Sequence, residues 1–181
     1  MKKIILSALV AVASLSANAQ VWLGGDLGFG FTKANKDAKT ANTIKIAPEI
    51  GYMFSENWGV YADIAFQSKK QGYEGAKASN CFGFDVAARW VFAKTGIASF
   101  FLDGGVGMDI YNNQGGNVFD VKITPGVKFA ASDHVSVVAK IGGIGAAFAN
   151  EKAQAAGNGD KTAFGLNVNN TDLSLGVYYN F

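Results

Sequence analysis

From Val21 to Phe181 the chain alternates. Large apolar residues fall at every second position, with small, polar or charged residues between them. A period of two is the mark of a strand with one face in an apolar phase. The pattern predicts eight strands. The first covers 21–31, with Val21, Leu23, Leu27, Phe29 and Phe31 on one face. The second covers 43–54, with Ile44, Ile46, Pro48, Ile50, Tyr52 and Phe54. The third covers 58–67, with Trp58, Val60, Ala62, Ile64 and Phe66. The fourth covers 81–92, with Phe82, Phe84, Val86, Ala88, Trp90 and Phe92. The fifth, 100–111, and the sixth, 118–129, repeat the pattern. The seventh begins at Val135, and its register blurs at Gly142-Gly143, where a bulge is expected. The eighth covers about 171–181. Short turns are predicted at 55–57, 93–99, 112–117 and 131–134. Longer polar segments are predicted at 33–42, 68–80 and 150–170, and Gly157-Asn158-Gly159 predicts mobility in the last.

The charges decide what the apolar face touches. Asp26, Lys45, Glu49, Asp63, Asp85, Arg89, Asp103, Asp109, Asp120, Lys122, Lys128, Lys140 and Asp172 all share the other face, and the apolar face carries none. Alternation alone does not distinguish an apolar interior from an apolar exterior. Three features favour the exterior. Tyr52, Phe54, Trp58, Trp90, Phe92, Phe100, Phe129, Tyr179 and Phe181 all fall at one end of their strands, as in an interfacial girdle. Strands of about 10–12 residues match a tilted membrane span. The third feature is the start of the chain. Met1-Lys2-Lys3 is basic, 4–15 is apolar apart from Ser7 and Ser14, and Ala17-Asn18-Ala19 is a small-x-small site before Gln20. This reads as a cleavable signal peptide over 1–19, cut between Ala19 and Gln20. The expected domain is then 20–181. After the signal no apolar run is long enough for a spanning helix.

Removing Lys2 and Lys3 from 16 basic residues leaves 14, against 14 acidic ones, so the mature chain is formally neutral. That balance argues against nucleic acid as a partner. Cys81 is the single cysteine, so no intrachain disulfide forms, and one His with one Cys leaves no basis for an imidazole or thiolate metal site. No cofactor is expected.

The chain also repeats internally. Residues 46–60, with Pro48, Ser55 and Asn57-Trp58, align without gaps on 123–137, with Pro125, Ser132 and His134-Val135. Likewise 23–31 lies over 102–110, and 84–92 over 173–181. Four strands repeated once support the count of eight. Pro48 and Pro125 each remove a ladder donor. Sequence leaves open whether they sit at bulges or against weakened pairing.

The Pro48-Glu49-Ile50-Gly51-Tyr52-x-Phe54 strand running into Asn57-Trp58, and the terminal Tyr179-x-Phe181, resemble small eight-stranded outer-membrane proteins of the OmpX and OmpA-barrel type. The resemblance covers essentially all of 20–181. It implies an all-β fold, an eight-stranded antiparallel up-and-down transmembrane β-barrel. It also implies a bacterial outer-membrane location and a terminal signal, Tyr179 and Phe181, read by the barrel-assembly machinery. It carries over no functional residues. Outer-membrane barrels place short turns in the periplasm. The loop lengths therefore put both termini there.

Three activities follow from the residues. The first is a structural or interaction protein with a side-chain-filled lumen, since eight strands leave room for little more. Its loops would contact outer-membrane lipid and lipopolysaccharide, or an external ligand. Lys33, Lys36 and Lys39 against Asp37, and Lys69, Lys70 and Lys77 against Glu74, give two loops of basic excess. The second is a narrow porin-like channel, because inward Gly24, Gly28, Gly30, Gly51, Gly83, Gly105 and Gly107 could leave voids. The third is a lipid-modifying enzyme using His134 and Ser136 as base and nucleophile. It is disfavoured because His134 matches the ordinary turn residue Asn57 and no acid stands ready to orient it. The expectation is no enzymatic activity.

Overall fold

The computed structural model describes residues 20–32, 41–70, 78–112, 115–167 and 173–181. The signal segment with Ala19, the lysines 33, 36 and 39 of the first loop, Glu74 and Lys77 of the second, and Asp172 lie outside the described residues. Ten strand segments follow in order: β1 Gln20–Thr32, β2 Ala41–Met53, β3 Trp58–Lys70, β4 Ala78–Thr95, β5 Ala98–Tyr111, β6 Asn117–Ala130, β7 Val135–Ile141, β8 Gly143–Ala149, β9 Ala163–Asn167 and β10 Leu173–Asn180. All pairings are antiparallel. From β1 to β7 each strand pairs with the next in sequence, including β5 with β6, and β1 pairs with β10, which closes the wall. β7 and β8 both pair with β6 and form one interrupted strand. β9 pairs with β8 as β10 pairs with β7, so these two form the last. The barrel has eight walls.

The prolines explain where the ladders break. On β2, Ile46 pairs with Phe66 and Glu49 with Asp63, while Ala47 and Pro48 have no partner on β3. On β6, Ile123 pairs with Ile144 and Gly126 with Lys140, while Thr124 and Pro125 have none on β7 or β8. Both prolines thus face a gap toward the following strand, where no donor is required. The two gaps differ in one respect. The register is unchanged across Pro48, whereas opposite Pro125 one extra residue enters at Gly142, with φ of 53°. That is the bulge expected from Gly142-Gly143, and it splits β7 from β8.

Burial confirms the inverted arrangement. Leu27, Ile46, Ile64, Phe84, Val86, Val121 and Leu175 are all exposed on the outer wall, while Asp26, Glu49, Asp63, Asp85, Arg89, Asp103 and Lys140 are buried. Val21 departs from its predicted face. It is buried at the point where Phe181 N–H donates to its carbonyl. The aromatic girdle lies at the short-turn end as expected, with Trp58 stacked on Trp90 and Tyr179 edge-on to Phe181. A second set of exposed rings, Phe29, Phe66, Phe82, Phe119, Phe148 and Phe164, marks the other end and contains no Trp or Tyr.

Two predicted boundaries shift. The 93–99 turn is a tight hairpin, because Thr95 pairs with Ala98 and Gly96 adopts φ of 51°. The 150–170 segment is not one polar loop. Asn150 caps a short helix, α1 Glu151–Ala155, by accepting from Ala153 N, and β9 follows. Alternation was hidden there because Gly165 stands opposite Gly145 and Ala163 opposite Ala147, leaving only Phe164 and Leu166 as apolar markers. Nor is the Gly157–Gly159 turn unanchored. Asn158 N–H donates to Ala153 O (2.9 Å) and its side-chain amide to Gly115 O (3.0 Å).

Candidate functional site

The interior of the barrel is where chemistry concentrates. Glu49 on β2 sits at its centre, 2% exposed. It accepts from Trp22 Nε1 (2.7 Å), Lys140 Nζ (2.7 Å) and Tyr178 OH (2.9 Å), and Arg89 Nη2 lies 3.6 Å away. Arg89, on β4, makes a two-pronged pair with Asp103 directly opposite on β5, at 2.8 Å for each bond. Such forked geometry is the strong form of the Arg–carboxylate pair. Lys140 on β7 completes the net, 2.8 Å from Asp26. One cluster therefore ties β1, β2, β4, β5, β7 and β10 across the bore.

Aromatic rings seal the cluster. The guanidinium carbon of Arg89 lies 4.1 Å from the Phe101 ring centroid and 5.1 Å from those of Trp22 and Tyr61. Trp22 stacks on Tyr178. A desolvated cation over ring faces gains electrostatic attraction as well as packing. Trp22, Tyr61, Val91, Phe101, Val138 and Tyr178 form the buried apolar layer around the charges. Sequence reasoning missed this layer. Its signal was present, since these residues share the register of the interior charges, against the apolar-outside rule.

Three of the inward glycines, Gly24, Gly51 and Gly107, do not leave the voids expected of a pore. A Cβ at Gly51 would strike the Trp22 indole, one at Gly24 the Tyr178 ring, and one at Gly107 the carboxylates of Asp85 and Asp120. Each glycine makes room for a larger neighbour, so the interior is filled at that level. Beyond the plug, toward the long-connection end, lies a cavity of about 220 Å³. Asp63, Asp85, Lys45, Lys122 and Thr43 line it. Lys122 bonds Asp85 (2.6 Å) and lies 3.3 Å from Asp120. Cys81, buried and unbridged, lies farther toward that end beside Gln67, Lys69 and Tyr111.

His134 and Ser136 are not brought together as base and nucleophile. His134 Nδ1 contacts Asn180 O (3.1 Å), its ring stacks on Tyr179, and Ser136 Oγ accepts from Asn180 Nδ2 (3.0 Å). The repeat partner Asn57 does the same work, its side chain donating to Val91 O (2.7 Å). The turn hydroxyls match too. Ser55 Oγ accepts from Asn57 N and Trp58 N, as Ser132 Oγ accepts from His134 N and Val135 N. Both turns are structural latches that clamp a hairpin to the next strand in the wall, β4 for Asn57 and β10 for His134. Phe181 and Tyr179 lie at this end, exposed on the outer wall. No group of His, Cys, Asp or Glu able to hold a metal ion occurs among the described residues.

A wall whose outside is apolar and whose ions are enclosed is stable only in a hydrocarbon solvent. Comparison with known proteins points the same way. Among solved structures, the crystal structure of Neisserial surface protein A (NspA) matches with a TM-score of 0.52, over 90% of this chain and 97% of that one, at 12% identity. That likeness is one of fold alone. No curated protein matches the chain. A family model described as the outer membrane protein beta-barrel domain does match, across residues 4–181. The inverted barrel deduced from burial is thus the architecture of the family to which this chain belongs, the outer membrane protein β-barrel domain family.

Proposed function

We propose that the protein is a structural and interaction barrel of the outer membrane, without catalytic activity, whose specific contacts are made by its long connections. The observation that carries this reading is the closed cluster of Glu49, Arg89, Asp103 and Lys140 inside its aromatic layer. Passage of an ion along the bore would require breaking buried charge pairs, each costly to separate. The engagement of His134 and Ser136 with Asn180 speaks against the lipid-modifying enzyme. A narrow channel is the second reading, supported by the polar cavity beside the plug.

In this proposal the signal segment 1–19 is removed after Ala19, and both termini face the periplasm. The long connections face outward. Lys69 and Lys70 at the end of β3, and Lys152 and Lys161 between β8 and β9, are exposed at that end and suit the phosphates of lipopolysaccharide. Two measurements test the proposal. Refolded protein in planar bilayers should show no discrete conductance, and should bind lipopolysaccharide vesicles above phosphatidylcholine vesicles. Steady single-channel steps would favour the channel. Orientation is tested with Cys81→Ser protein on intact cells. An impermeant thiol reagent should label Lys161→Cys and not Glu56→Cys, and the reverse pattern would invert the topology.

A further inference from the structure

The inward bases are not all answered by acids. Arg89 is paired with Asp103, Lys122 with Asp85 and Lys140 with Glu49. Lys128 on β6 forms neither an ion pair nor a hydrogen bond among the described residues. It lines a small cavity under the plug, toward the short-turn mouth, together with Arg89, Ser99 and Asn180. No carboxylate lines that cavity. Asp103 and Glu49 are engaged with Arg89 and Lys140 and take no part in its wall. The charges that bear on Lys128 are those of Arg89 and Lys94, both positive. Two cations therefore face one enclosed space, and Arg89 is only 3% exposed. Like charges in a poorly hydrated space repel, and burying them is costly unless an opposite charge joins them.

The backbone gathers these groups on purpose-built register. Ser99 stands opposite Lys94 on one side and Lys128 on the other, so the three form one row across β4, β5 and β6. Lys94 joins that row because the register of β4 shifts between Val91 and Ala93. Val91 is buried on the inner face. Without the shift, parity would turn Ala93 inward and Lys94 outward. Bulges at barrel rims re-aim side chains in this way. The Asn180 amide is taken by His134 O and Ser136 Oγ, whereas Ser99 makes no side-chain hydrogen bond among the described residues. The free groups are thus an ammonium and a hydroxyl, and both can donate to an anion. The cavity, about 20 Å³, has room for a single particle of about the size of a water. That size favours a monatomic ion over a phosphate or a carboxylate. We propose that the cavity under the plug binds one halide ion, held between Lys128 and Arg89 with Ser99 as a further donor. Lys94, exposed at the rim, raises the local concentration of anions at the mouth. The ion ties β6 to the plug through Arg89. The inference goes beyond the scaffold reading and stands whether or not the bore conducts.

The test uses sodium bromide as the probe. Crystals of the refolded barrel soaked in sodium bromide should show an anomalous peak between Lys128 Nζ and the Arg89 guanidinium. Lys128→Met keeps the reach of the side chain without its charge. It should lose the peak while retaining the heat-dependent gel mobility of a folded barrel. Ser99→Ala should lower bromide occupancy without abolishing it, which keeps the test valid if the first variant does not fold. A solution measurement separates a specific ion from one forced in by soaking. An ion bound only to the folded state stabilises it. Exchanging chloride for gluconate at a constant ionic strength of about 0.15 M should therefore lower the urea midpoint of the wild-type barrel and leave that of Lys128→Met unmoved. Absence of a peak at Lys128 overturns the proposal, as does a peak that survives in Lys128→Met or an undiminished one in Ser99→Ala. So does a peak in soaked crystals with no effect of chloride on the wild-type midpoint, which would mean an adventitious ion only.

Discussion

Glu49 shows how one residue can govern the interior. It holds two cations, an indole and a phenol at once. Removing one member of a buried ionic cluster leaves its partners charged and unanswered, which costs about 3–5 kcal/mol. Glu49→Ala should therefore lower unfolding stability by that amount in urea titrations of the lipid-refolded barrel. Glu49→Gln keeps the acceptor oxygen and should cost less. Equal, small losses for both would mean that the cluster is solvated and not the plug described above. The inward glycines belong to the same account, since Gly51 exists to receive Trp22. Sequence showed these glycines as gaps. Only the position of the rings on neighbouring strands shows that they are filled.

At the scale of the strand, a parity rule separates two environments one residue apart. Val86 points outward and Ala87 inward, in the middle of β4. An arginine on the lipid face near the bilayer midplane costs about 2–4 kcal/mol. Val86→Arg should show that loss in lipid vesicles, whereas Ala87→Ser should leave stability nearly unchanged. A fully stable Val86→Arg barrel would contradict the assignment of faces. The strands also carry the record of the repeat. Pro48 and Pro125 face equivalent gaps, and Asn57 and His134 make equivalent latches to Val91 and Asn180. The bulge at Gly142 is where the two halves part.

For the whole molecule, the last residue is a test of assembly against stability. Phe181 is half exposed on the outer wall, with its N–H bonded to Val21 O (2.9 Å) and its ring against Tyr179. Burying a Phe fully contributes about 1.5–3 kcal/mol, and a half-exposed ring less. Deleting Phe181 should thus leave refolding in vitro close to normal. If Tyr179 and Phe181 are read by the assembly machinery, the same deletion should deplete the protein from outer membranes in cells. Normal outer-membrane levels of the truncated chain would remove that role and leave Phe181 as one girdle ring among several.

Alternation determined the two faces of the strands and, with the repeat, their count of eight, because side-chain parity is local and survives any arrangement of neighbours. The shared face of the charges, with the girdle, determined which side meets hydrocarbon. The repeat was legible as well, down to the matched Ser and Pro positions. What required the folded chain was everything made across the bore. Lys140 meets Glu49 across 91 residues and Tyr178 meets it across 129, and no local pattern encodes such a meeting. The inner half of the barrel was read as a list of charges. Closure turned that list into a plug of pairs and rings that no single strand displays. β9 was hidden for the opposite reason, because glycine and alanine carry no amphipathic signal and only pairing with β8 reveals them as strand.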